Sequence, residues 1–542
     1  MKVTINGRAA EVPAGISLFD CAGSVGVRVP TSCQKQGKCK ECMVEVVEGM
    51  DCLSAPTEHE RHLSGNFRLS CRSMLEAGHG EIRCHTMRRG QMRIERQALG
   101  LSTGASLDPT VTLGGGWVLL DGQPLEPSIG PIHGIAMDLG TTTVVLRLLN
   151  LETGELVADA SFENPQRFGG SDVMARIHYD CEHPGKLLRR TLAGYLTHAI
   201  EDFPVDPKSI YEMVVAGNST MRDLFFRQSV YSIGQSPYRS ITEIEMADGK
   251  RAGTSLVETG RRCLLPIHPK ARVYGAPIVS GHVGADAAAC MLAVDLAHED
   301  RVVAVMDIGT NTELIVGNRH RILAASCPAG PAFEGGAIAC GMPALEGAIE
   351  GVTIGDGGSF RLDVIGGGDP QGICGSGLVA LMSELMRTGR MNERGRFEDD
   401  VQRIVLDAEH NVFFLESDVN ELAQAKGANV AGLQVVFSNY GLDFDDIDVF
   451  YLAGGFGRHM DVDAAARIGL IPDIPRSRIV QVGNAAIEGA TIALLSRSKR
   501  QELEDLVRRV EHCRLETHPR FFDFFVDGCQ FKRVEPANQV AG

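Results

Sequence analysis

Met137-Asp138-Leu139-Gly140-Thr141-Thr142-Thr143 recurs later in the chain as Met306-Asp307-Ile308-Gly309-Thr310-Asn311-Thr312. An apolar stretch precedes each copy and another follows it, which predicts a strand, a turn and a second strand. The aspartate then stands at the end of the first strand, and the glycine lies in the turn. Two copies of this Asp-x-Gly-Thr core are far less expected by chance than one, so they predict a body with two related α/β lobes.

The residue types of both turns suit a bound phosphate. Turn N–H groups and threonine hydroxyls can donate to phosphate oxygens, and an aspartate can hold Mg²⁺ or orient an attacking water. Two such hairpins facing each other across a cleft would grip a nucleotide's β- and γ-phosphates from both sides. The alternative for each aspartate is a solvated turn residue that caps nearby N–H groups.

Further glycine-rich turns follow in the second half of the chain. Val449–Ala453 is an apolar run that enters Gly454-Gly455-Phe456-Gly457, where the backbone can lie against a flat nucleoside. Gly372-Ile373-Cys374-Gly375-Ser376-Gly377 precedes an apolar helix and offers a second contact to the same nucleotide.

The first ninety residues carry the pattern Cys33-x5-Cys39-x2-Cys42, and Cys71 follows at a distance. A [2Fe–2S] cluster needs four thiolates, two for each iron, and this spacing lets one loop supply three of them. A zinc site usually pairs two Cys-x2-Cys knuckles, and only one such pair is present. The alternatives are zinc or four unrelated buried cysteines, and Cys52 is the rival of Cys71 as fourth ligand.

The residues around these cysteines favour a small β-grasp fold. Val3–Ile5 and a strand near Val12 are joined through Asn6-Gly7, which is a hairpin signal. Residues 17–22 predict a short helix, and Met43–Val47 predicts a strand that leaves the cysteine loop.

Residues 86 to about 130 change in character. A basic run is followed by glycines and prolines: Arg88, Arg89, Arg93, Arg96, Gly114-Gly115-Gly116, Pro124, Pro127 and Pro131. This composition predicts a solvated linker that carries the N-terminal domain. The alternative is a docking patch for an acidic redox partner.

Composition and charge limit the possible functions. The chain has 542 residues, too many for one core, and a formal net charge of −16, which argues against nonspecific nucleic-acid binding. No run of 18 apolar residues occurs, so neither a transmembrane helix nor another membrane association is expected. The start resembles a strand and not a signal peptide, which predicts a cytoplasmic protein, and its fifteen cysteines are then metal ligands or buried thiols.

Two family resemblances combine these motifs. The first 85 residues or so resemble plant- and adrenodoxin-type ferredoxins. The two phosphate turns and the Ala-Gly-Gly-Phe-Gly turn resemble the superfamily of acetate and sugar kinases, heat-shock-cognate chaperones and actin. More closely, the chain resembles the reductive activators of corrinoid proteins in several stretches: 283–286, 306–312, 330–335, 372–377, 418–427, 453–457 and 483–486.

The resemblance implies an α/β multidomain protein with a β-grasp [2Fe–2S] ferredoxin domain, a linker and a two-lobed, actin-like (ribonuclease-H-like) ATPase body. The expected domains are a ferredoxin-type domain over 1–88, a linker over 89–131, a first lobe or middle domain over 132–300, a second lobe over 301–495 and a C-terminal extension over 496–542.

The resemblance also assigns residues to roles. Cys33, Cys39, Cys42 and Cys71 would bind the cluster; Asp138, Gly140, Thr141 and Thr142 would form the first phosphate motif; Asp307, Gly309, Thr310 and Asn311 would form the second; and Gly454, Gly455 and Phe456 would contact adenosine. Asp138 and Asp307 would be the catalytic pair. Some relatives carry a C-terminal four-cysteine [4Fe–4S] segment, but only Cys513 and Cys529 follow Cys374 here, which excludes that version.

The implied function is the ATP-dependent reduction of an inactive Co(II) corrinoid to Co(I), with a [2Fe–2S] cluster, ATP and Mg²⁺ as cofactors. The implied partner is a corrinoid protein, a cobalamin-dependent methyltransferase or a methionine synthase, and a homodimer is the oligomeric state that the resemblance suggests. The alternatives are an ATP-gated electron donor to another low-potential enzyme, an activator of a dehydratase or radical enzyme, a small-molecule kinase with a regulatory ferredoxin domain, and a scaffold that binds nucleotide without turnover.

Overall fold

The computed structural model describes residues 1–76, 80–88, 106–128, 130–398, 401–455, 457 and 459–534. These residues form two compact units, and the chain is an α/β protein with several domains, as predicted. The first unit takes the described residues of Met1–Gln91, Pro109–Val215 and Ser219–Gly275. The second takes those of Met92–Asp108, Ala216–Asn218 and Ala276–Gly542.

The N-terminal part of the first unit is a mixed sheet with one helix. Its elements are β1 (Lys2–Ile5), β2 (Arg8–Glu11), α1 (Leu18–Ser24), β3 (Met43–Glu48), β4 (Phe67–Leu69) and β5 (Glu81–Thr86). The strand order is β2-β1-β5-β3-β4, with β1 and β5 parallel. Asn6 and Gly7 both have positive φ, as a two-residue hairpin turn requires, and Ser17 caps α1. The predicted β-grasp domain is confirmed.

A three-stranded antiparallel sheet follows: β6 (Val111–Gly114), β7 (Trp117–Leu120) and β8 (Gln123–Pro127). The prediction of a solvated linker over 89–131 was therefore wrong for these residues. Val111 and Val118 are buried, and Glu126 accepts a hydrogen bond of 2.6 Å from the Tyr211 hydroxyl. The glycines form the β6–β7 turn, whereas the predicted basic run from Arg89 onward lies outside the described residues.

The rest of the first unit is a six-stranded sheet with helices. The elements are β9 (His133–Leu139), β10 (Thr143–Asn150), β11 (Leu156–Glu163), α2 (Val173–Glu182), α3 (Leu187–Glu201), β12 (Ile210–Ala216), α4 (Ser219–Phe225), α5 (Ile241–Ala247), β13 (Leu256–Thr259), α6 (Gly260–Cys263) and β14 (Arg272–Gly275). The order is β11-β10-β9-β12-β14-β13. The central strands β9 and β12 are buried along almost their whole length, which explains why most of their residues are apolar.

The second unit contains the other described elements. These are α7 (Ala285–Ala293), β15 (Val303–Asp307), β16 (Thr312–Asn318), β17 (Arg321–Cys327), β18 (Ala348–Ile354), β19 (Phe360–Val364), β20 (Gly372–Ile373), α8 (Gly375–Arg387), β21 (Arg403–Asp407), β22 (Val412–Leu415), α9 (Glu416–Tyr440), β23 (Val449–Ala453), α10 (Val462–Arg467), β24 (Ile479–Gly483), α11 (Ala485–Leu495), α12 (Arg497–Val507), β25 (Val510–His512) and α13 (Phe521–Gly528). Its main sheet has the order β24-β23-β15-β16-β17-β25.

Two elements of the second unit depart from the predicted domain limits. Helix α7, which the prediction placed in the first lobe, belongs to this unit and packs closely on α11, where a Cβ at Gly489 would lie 1.9 Å from the Ala289 carbonyl oxygen. The predicted C-terminal extension over 496–542 supplies β25, which pairs in parallel with β17. It is part of the unit's sheet and not an appendage, as far as its described residues extend.

The two copies of the sequence repeat adopt the same local structure. Both copies form antiparallel hairpins, β9–β10 in the first unit and β15–β16 in the second. Within the described part of the chain, no helix is both long enough and apolar enough to cross a membrane.

Candidate cluster and nucleotide-binding sites

The loop between the first three cysteines of the N-terminal motif is built from left-handed turns. Four of its residues have positive φ angles: Gln34 (50°), Lys35 (66°), Gly37 (72°) and Lys40 (69°). Residues in this conformation point successive N–H groups to the inside of a loop, where they stabilise negative charge. Gly37 is needed for a second reason, because a Cβ there would lie 2.6 Å from Nε of Arg72.

The N–H groups of this loop act on its first thiol. Burial opposes ionisation of Cys33, but hydrogen bonds from the backbone of Cys39 and Lys38, among others, outweigh it and lower the pKa of Cys33 to about 7. A thiol with such a pKa is ionised to a substantial fraction near neutral pH, and the thiolate is the form that binds metal. Cys33 and Cys39 are both half-buried.

The third and fourth cysteines meet through the pairing of β3 and β4. Ser70 donates from both its backbone N–H and its hydroxyl to the Cys42 carbonyl, each at 2.8 Å. This places Sγ of Cys42 3.3 Å from Sγ of Cys71. The hydrogen bond from Cys42 lowers the pKa of Cys71 to about 7, while the same contact and burial raise that of Cys42. The structure thus brings all four predicted cysteines to one loop, a donor set that fits a [2Fe–2S] cluster.

The other N-terminal cysteines have different surroundings. Cys21 and Cys84 lie in the hydrophobic core, and burial raises their pKa values to about 11 and about 12. Cys52 ends a short turn, Met50–Cys52, and packs against Gly80, where a Cβ would lie 2.5 Å from its Sγ. The geometry therefore favours Cys71 over its rival Cys52 as the fourth thiol.

Helix α3 of the same unit packs on the cysteine loop. The hydroxyl of the buried Tyr195 donates to the Glu41 carbonyl at 2.8 Å. The Glu41 carboxylate, which lies between the second and third cysteines in sequence, is 3.1 Å from Nε2 of His198 and accepts from Ser32 at 2.6 Å. Burial opposes ionisation of Glu41, but these two hydrogen bonds lower its pKa. Gly194 permits the close approach, because a Cβ there would lie 2.8 Å from Glu41.

The first predicted phosphate hairpin has a tight turn. The Gly140 N–H donates to the Thr143 carbonyl at 3.0 Å, and a Cβ at Gly140 would lie 2.6 Å from that oxygen. Asn164, which the sequence analysis did not single out, fixes both ends of the turn. Its N–H donates to the Thr142 carbonyl at 2.7 Å, and its Nδ2 donates to the Gly140 carbonyl at 2.8 Å. Asp138 lies on β9 just before this turn, and Thr141 is buried within it.

The second hairpin lies directly against the predicted adenosine turn. Strands β15 and β23 are parallel neighbours, so Asp307 aligns with Ala453 at the same edge of the sheet. A Cβ at Gly454, whose φ is 106°, would lie 2.4 Å from the Ile308 carbonyl oxygen and 3.2 Å from Oδ1 of Asp307. Two of the predicted motifs are therefore in contact within the second unit. Gly455 is exposed, and Phe456 lies outside the described residues.

Three acidic side chains surround the end of this hairpin. Asp307 faces Glu313 across the β15–β16 pair, and Asp286 lies in the first turn of α7. Burial, and then repulsion from Asp307, raise the pKa of Asp286 to about 7. Burial raises the pKa of Asp307 to about 6, although the Cys290 thiol donates to it at 3.2 Å.

Glu313 is the most deeply buried of the three, at 2% exposure. Burial and repulsion from Asp286 raise its pKa well above the usual range, and Ser326 donates to it at 2.8 Å. Carboxyl groups that repel one another in this way are stabilised by a nearby cation. Of these three acids, only Asp307 was predicted from the sequence to belong to the site. Asp286 stood in a family stretch without a role, and Glu313 was missed.

A fourth carboxylate reaches the turn of the second hairpin. The Thr310 hydroxyl donates to Glu334, which lies on a short turn over Ala332–Glu334. Gly335 closes that turn with a φ of 83°, and a Cβ there would lie 2.6 Å from the Met342 N–H nitrogen. The stretch 330–335, recognised in the sequence only as a family motif, thus contacts the phosphate turn directly.

The structure groups the predicted residues as follows. The four cysteines are together in the first unit, which also holds the turn with Asp138, Gly140, Thr141 and Thr142. The second unit joins Asp307, Gly309, Thr310 and Asn311 to Gly454 and Gly455.

Family profiles match most of the chain. One described as a 2Fe-2S iron-sulfur cluster binding domain matches residues 3–76. Those described as the RACo middle region and as the C-terminal domain of RACo, the ASKHA domain, match residues 133–299 and 301–540. The prediction of a ferredoxin domain joined to a body of the acetate and sugar kinase, heat-shock-cognate and actin class is confirmed.

Individual relatives point the same way. The chain is 32% identical over 443 residues to the corrinoid activation enzyme RamQ of Eubacterium limosum, covering 76% of this chain and 72% of that protein. It is 24% identical over 431 residues to the Co(II) methylated amine-specific corrinoid protein reductase of Methanosarcina barkeri, covering 73% and 76%. A solved structure titled reductive activator for corrinoid, iron-sulfur protein matches with a TM-score of 0.74 and 26% identity over 98% of this chain and 99% of that one. The chain belongs to the family of reductive activators of corrinoid proteins.

Proposed function

We propose that this protein reactivates a corrinoid protein by reducing its cobalt from Co(II) to Co(I), with electrons carried by the N-terminal cluster and transfer controlled by ATP. The observation that carries this proposal is the presence, in one chain, of a four-cysteine ferredoxin domain and an ASKHA domain that together match a reductive activator over 98% of the chain. An electron carrier alone needs no ATPase domain, and a kinase needs no cluster.

The cysteine loop would hold the cluster through Cys33, Cys39, Cys42 and Cys71. A bound [2Fe–2S] cluster would carry one electron, and its reduction potential is roughly −400 mV in plant-type ferredoxins. The chain's own contribution is to present thiols that ionise readily and a loop whose N–H groups stabilise negative charge. Helix α3 keeps that loop in place through Glu41.

The nucleotide would be bound by the two hairpins and the glycine turn. Asp138, Gly140, Thr141 and Thr142 are the phosphate contacts that the first hairpin would supply, and Asp307, Gly309, Thr310 and Asn311 are those that the second would supply. Gly454, Gly455 and Phe456 would contact adenosine. Asp307 is the residue that we expect to hold Mg²⁺ or orient the attacking water, because it ends β15 beside the Gly454 turn and Glu313 faces it across the hairpin.

ATP would control transfer by favouring one state of the nucleotide domain. Burial disfavours the ionised forms of Asp286, Asp307 and Glu313, and the other acids of the group add repulsion on Asp286 and Glu313. A Mg²⁺ ion bound together with ATP would favour the arrangement in which these carboxylates are ionised. A ligand that binds one state better than another shifts the equilibrium by that difference, and this is how binding or hydrolysis can drive an unfavourable electron transfer.

The partner would be a corrinoid protein of a methyl-transfer system, either a methyltransferase's corrinoid subunit or a cobalamin-dependent methionine synthase. The two curated relatives are named for corrinoid proteins, which supports this class of partner. We also propose that the protein works in the cytoplasm, because the cluster needs at least four of its cysteines as thiolates and a reducing compartment keeps thiols reduced.

The proposal is tested with iron-replete protein under anaerobic conditions. The visible spectrum of an added Co(II) corrinoid protein is followed in the presence of a strong reductant, with Mg-ATP, with Mg-ADP and without nucleotide. Co(I) that forms only with Mg-ATP supports the proposal. A reducible cluster with no ATP-dependent change at cobalt, across several corrinoid proteins, would overturn it.

A further inference from the structure

We propose that the open edge of the cysteine loop is a docking surface for an acidic one-electron carrier protein, which delivers the electron to the cluster. We call this surface the basic edge and define it as Lys35, Lys38, Lys40 and Arg72 together with the half-buried Cys33 and Cys39. The inference rests on the proposed function, since it names the class of electron donor that the function requires.

One side of the cysteine loop is covered within the first unit. Helix α3 contacts it through Tyr195 and His198, both of which hold Glu41. Cys42 and Cys71 are buried on the ferredoxin domain's own core. An electron carrier cannot approach the cluster through these parts without separating packed elements.

Most of the loop between Cys33 and Cys39 is exposed. The side chains from Gln34 to Gln36 and of Lys38 are exposed, and Cys33 and Cys39 keep part of their surface accessible. Electron transfer between proteins needs a short path between the two centres, so a partner must approach along this edge. The charge of this edge therefore determines which electron carriers can dock there.

The charge of the basic edge is opposite to that of the whole chain. Residues 33–40 contain three lysines and no acidic residue, whereas the chain carries a formal net charge of −16. Lys35 is balanced by an ion pair with Asp20. Among the described residues no ion pair holds Lys38, which is free to meet a partner's carboxylate.

Two further cations lie next to the cysteines themselves. Lys40 donates to the His59 carbonyl, and the Glu60 carboxylate acts on it electrostatically. Arg72 follows Cys71 directly, and its buried Nε has no hydrogen-bond partner in the described part of the chain. The nearby carboxylates already have partners. Glu41 contacts His198 and accepts a hydrogen bond from Ser32, and Glu60 forms an ion pair with Arg68.

These observations fit a small carrier with a negative surface, such as a ferredoxin-class protein. A patch of one sign inside a body of the other sign orients an approaching partner, and electrostatic steering of this kind raises association rates by roughly 10- to 1,000-fold at low salt. One electron leaves the carrier, which is oxidised by one equivalent, and the cluster is reduced by one equivalent. No covalent bond is made or broken.

The test uses the full-length, cluster-replete protein with a photoreduced plant-type ferredoxin of net negative charge as the probe. Cluster reduction is followed by stopped flow at low and high salt, and affinity for the oxidised ferredoxin is measured separately by surface plasmon resonance. The variant is Lys38→Glu, an exposed position with little risk to folding, alone and combined with Lys35→Gln. Lys270→Glu, an exposed lysine elsewhere in the first unit, is the matched control.

We expect ferredoxin to reduce the cluster of the double variant about tenfold more slowly than that of the wild type at low salt. The variant should also bind the ferredoxin correspondingly more weakly, and both differences should be lost at high salt. The control should behave as the wild type, and photoreduced deazaflavin, a small neutral reductant, should reduce all forms equally. Equal ferredoxin rates in all forms would overturn the proposal. So would equal slowing with deazaflavin, because the lysines would then act only on the cluster's potential.

A third result would also overturn it. If the variants accept electrons from ferredoxin normally but transfer them more slowly to the Co(II) corrinoid protein, the basic edge serves the acceptor and not the donor. Because the ferredoxin assay contains neither ATP nor corrinoid, its outcome does not depend on the proposed reactivation. Failure of the two proposals can therefore be distinguished.

Discussion

At the scale of single residues, the two sites rest on groups whose ionisation is shifted in opposite directions. In the cysteine loop, hydrogen bonds and a nearby cation lower the pKa of Cys33 and of Cys71 to about 7. In the nucleotide domain, burial raises the pKa of Asp286 to about 7 and that of Asp307 to about 6. The shifts favour the ionised thiolates that bind metal in the first set and favour the protonated carboxyl groups in the second.

The choice between Cys71 and Cys52 as fourth ligand gives the first prediction. Cys71→Ala should abolish the visible spectrum of the [2Fe–2S] cluster, because its sulfur is the one that meets Cys42. Cys52→Ala is the matched control and should keep the full spectrum. Iron content and circular dichroism of the purified variants show whether each variant keeps its cluster. The assignment would fail if Cys52→Ala lost the cluster and Cys71→Ala retained it.

The raised carboxyl pKa values give a prediction about pH. Unfolded aspartate titrates near 3.9, below the folded values of about 7 and about 6 for Asp286 and Asp307, so the folded state holds protons that the unfolded state has lost. The stability from these groups is therefore fully present below about pH 4 and is lost as pH rises toward 7. Without nucleotide, the melting temperature of the wild type relative to the Asp286→Asn/Asp307→Asn variant should fall between pH 5 and pH 8.

The control for this experiment is Asp523→Asn, an exposed position on α13. Its melting temperature should follow the wild type at every pH. A constant difference between wild type and the double variant over this range would contradict the explanation. The double variant should also keep its cluster spectrum and lose most ATP turnover, since only the nucleotide domain is changed.

At the scale of elements, close backbone contacts bring the motifs together. The strand β23 ends in a glycine turn that touches the β15–β16 hairpin, and helix α3 touches the cysteine loop. In both places one element fixes a loop of another. The chemistry of each loop therefore depends on an element that is distant in sequence.

Gly454 and Gly455 offer a matched pair for the first of these contacts. Gly454→Ala should lower the free energy of unfolding by about 2 kcal/mol or more, because the new Cβ would meet the Ile308 carbonyl at 2.4 Å and the φ of 106° is unfavourable for alanine. Gly455→Ala has open space and should stay within about 0.5 kcal/mol of the wild type. Denaturant unfolding without nucleotide measures both. Equal free energies of unfolding for the two variants would show that Gly454 is not in close contact with the hairpin.

The second contact is tested by Tyr195→Phe. The variant leaves the carbonyl of Glu41 without its buried donor, which should cost about 1–3 kcal/mol and speed the loss of iron to a chelator. Tyr231→Phe, at a tyrosine that is 59% exposed, is the control and should change neither quantity. If Tyr195→Phe releases iron at the wild-type rate, helix α3 does not hold the cluster loop.

At the scale of the whole molecule, the sequence was most informative where chemistry restricts the residue types. The cysteine spacing and the repeated Asp-x-Gly-Thr core predicted both the domains and the turns in which they lie. Glu313 was missed because it occupies the position of an apolar residue, Val144, in the first copy of the repeat. A glutamate at a position that an apolar residue occupies in the other copy was the signal available in the sequence.

The linker prediction failed for a different reason. Glycine and proline content was interpreted as solvent exposure, but in β6–β8 the glycines form a hairpin turn and two valines supply the buried side. The contact between α3 and the cysteine loop could not be predicted at all. It depends on the packing of two domains whose residues lie far apart in the sequence.

The central claim is that one electron passes from the cluster to cobalt only under the control of ATP, and a single-turnover experiment tests it most directly. The cluster is reduced, excess reductant is removed, and a Co(II) corrinoid protein is added while the spectra of cluster and cobalt are recorded together. We predict equal amounts of reoxidised cluster and Co(I) with Mg-ATP, and neither without it. Equal transfer without nucleotide, or Co(I) formation without reoxidation of the cluster, would contradict the claim.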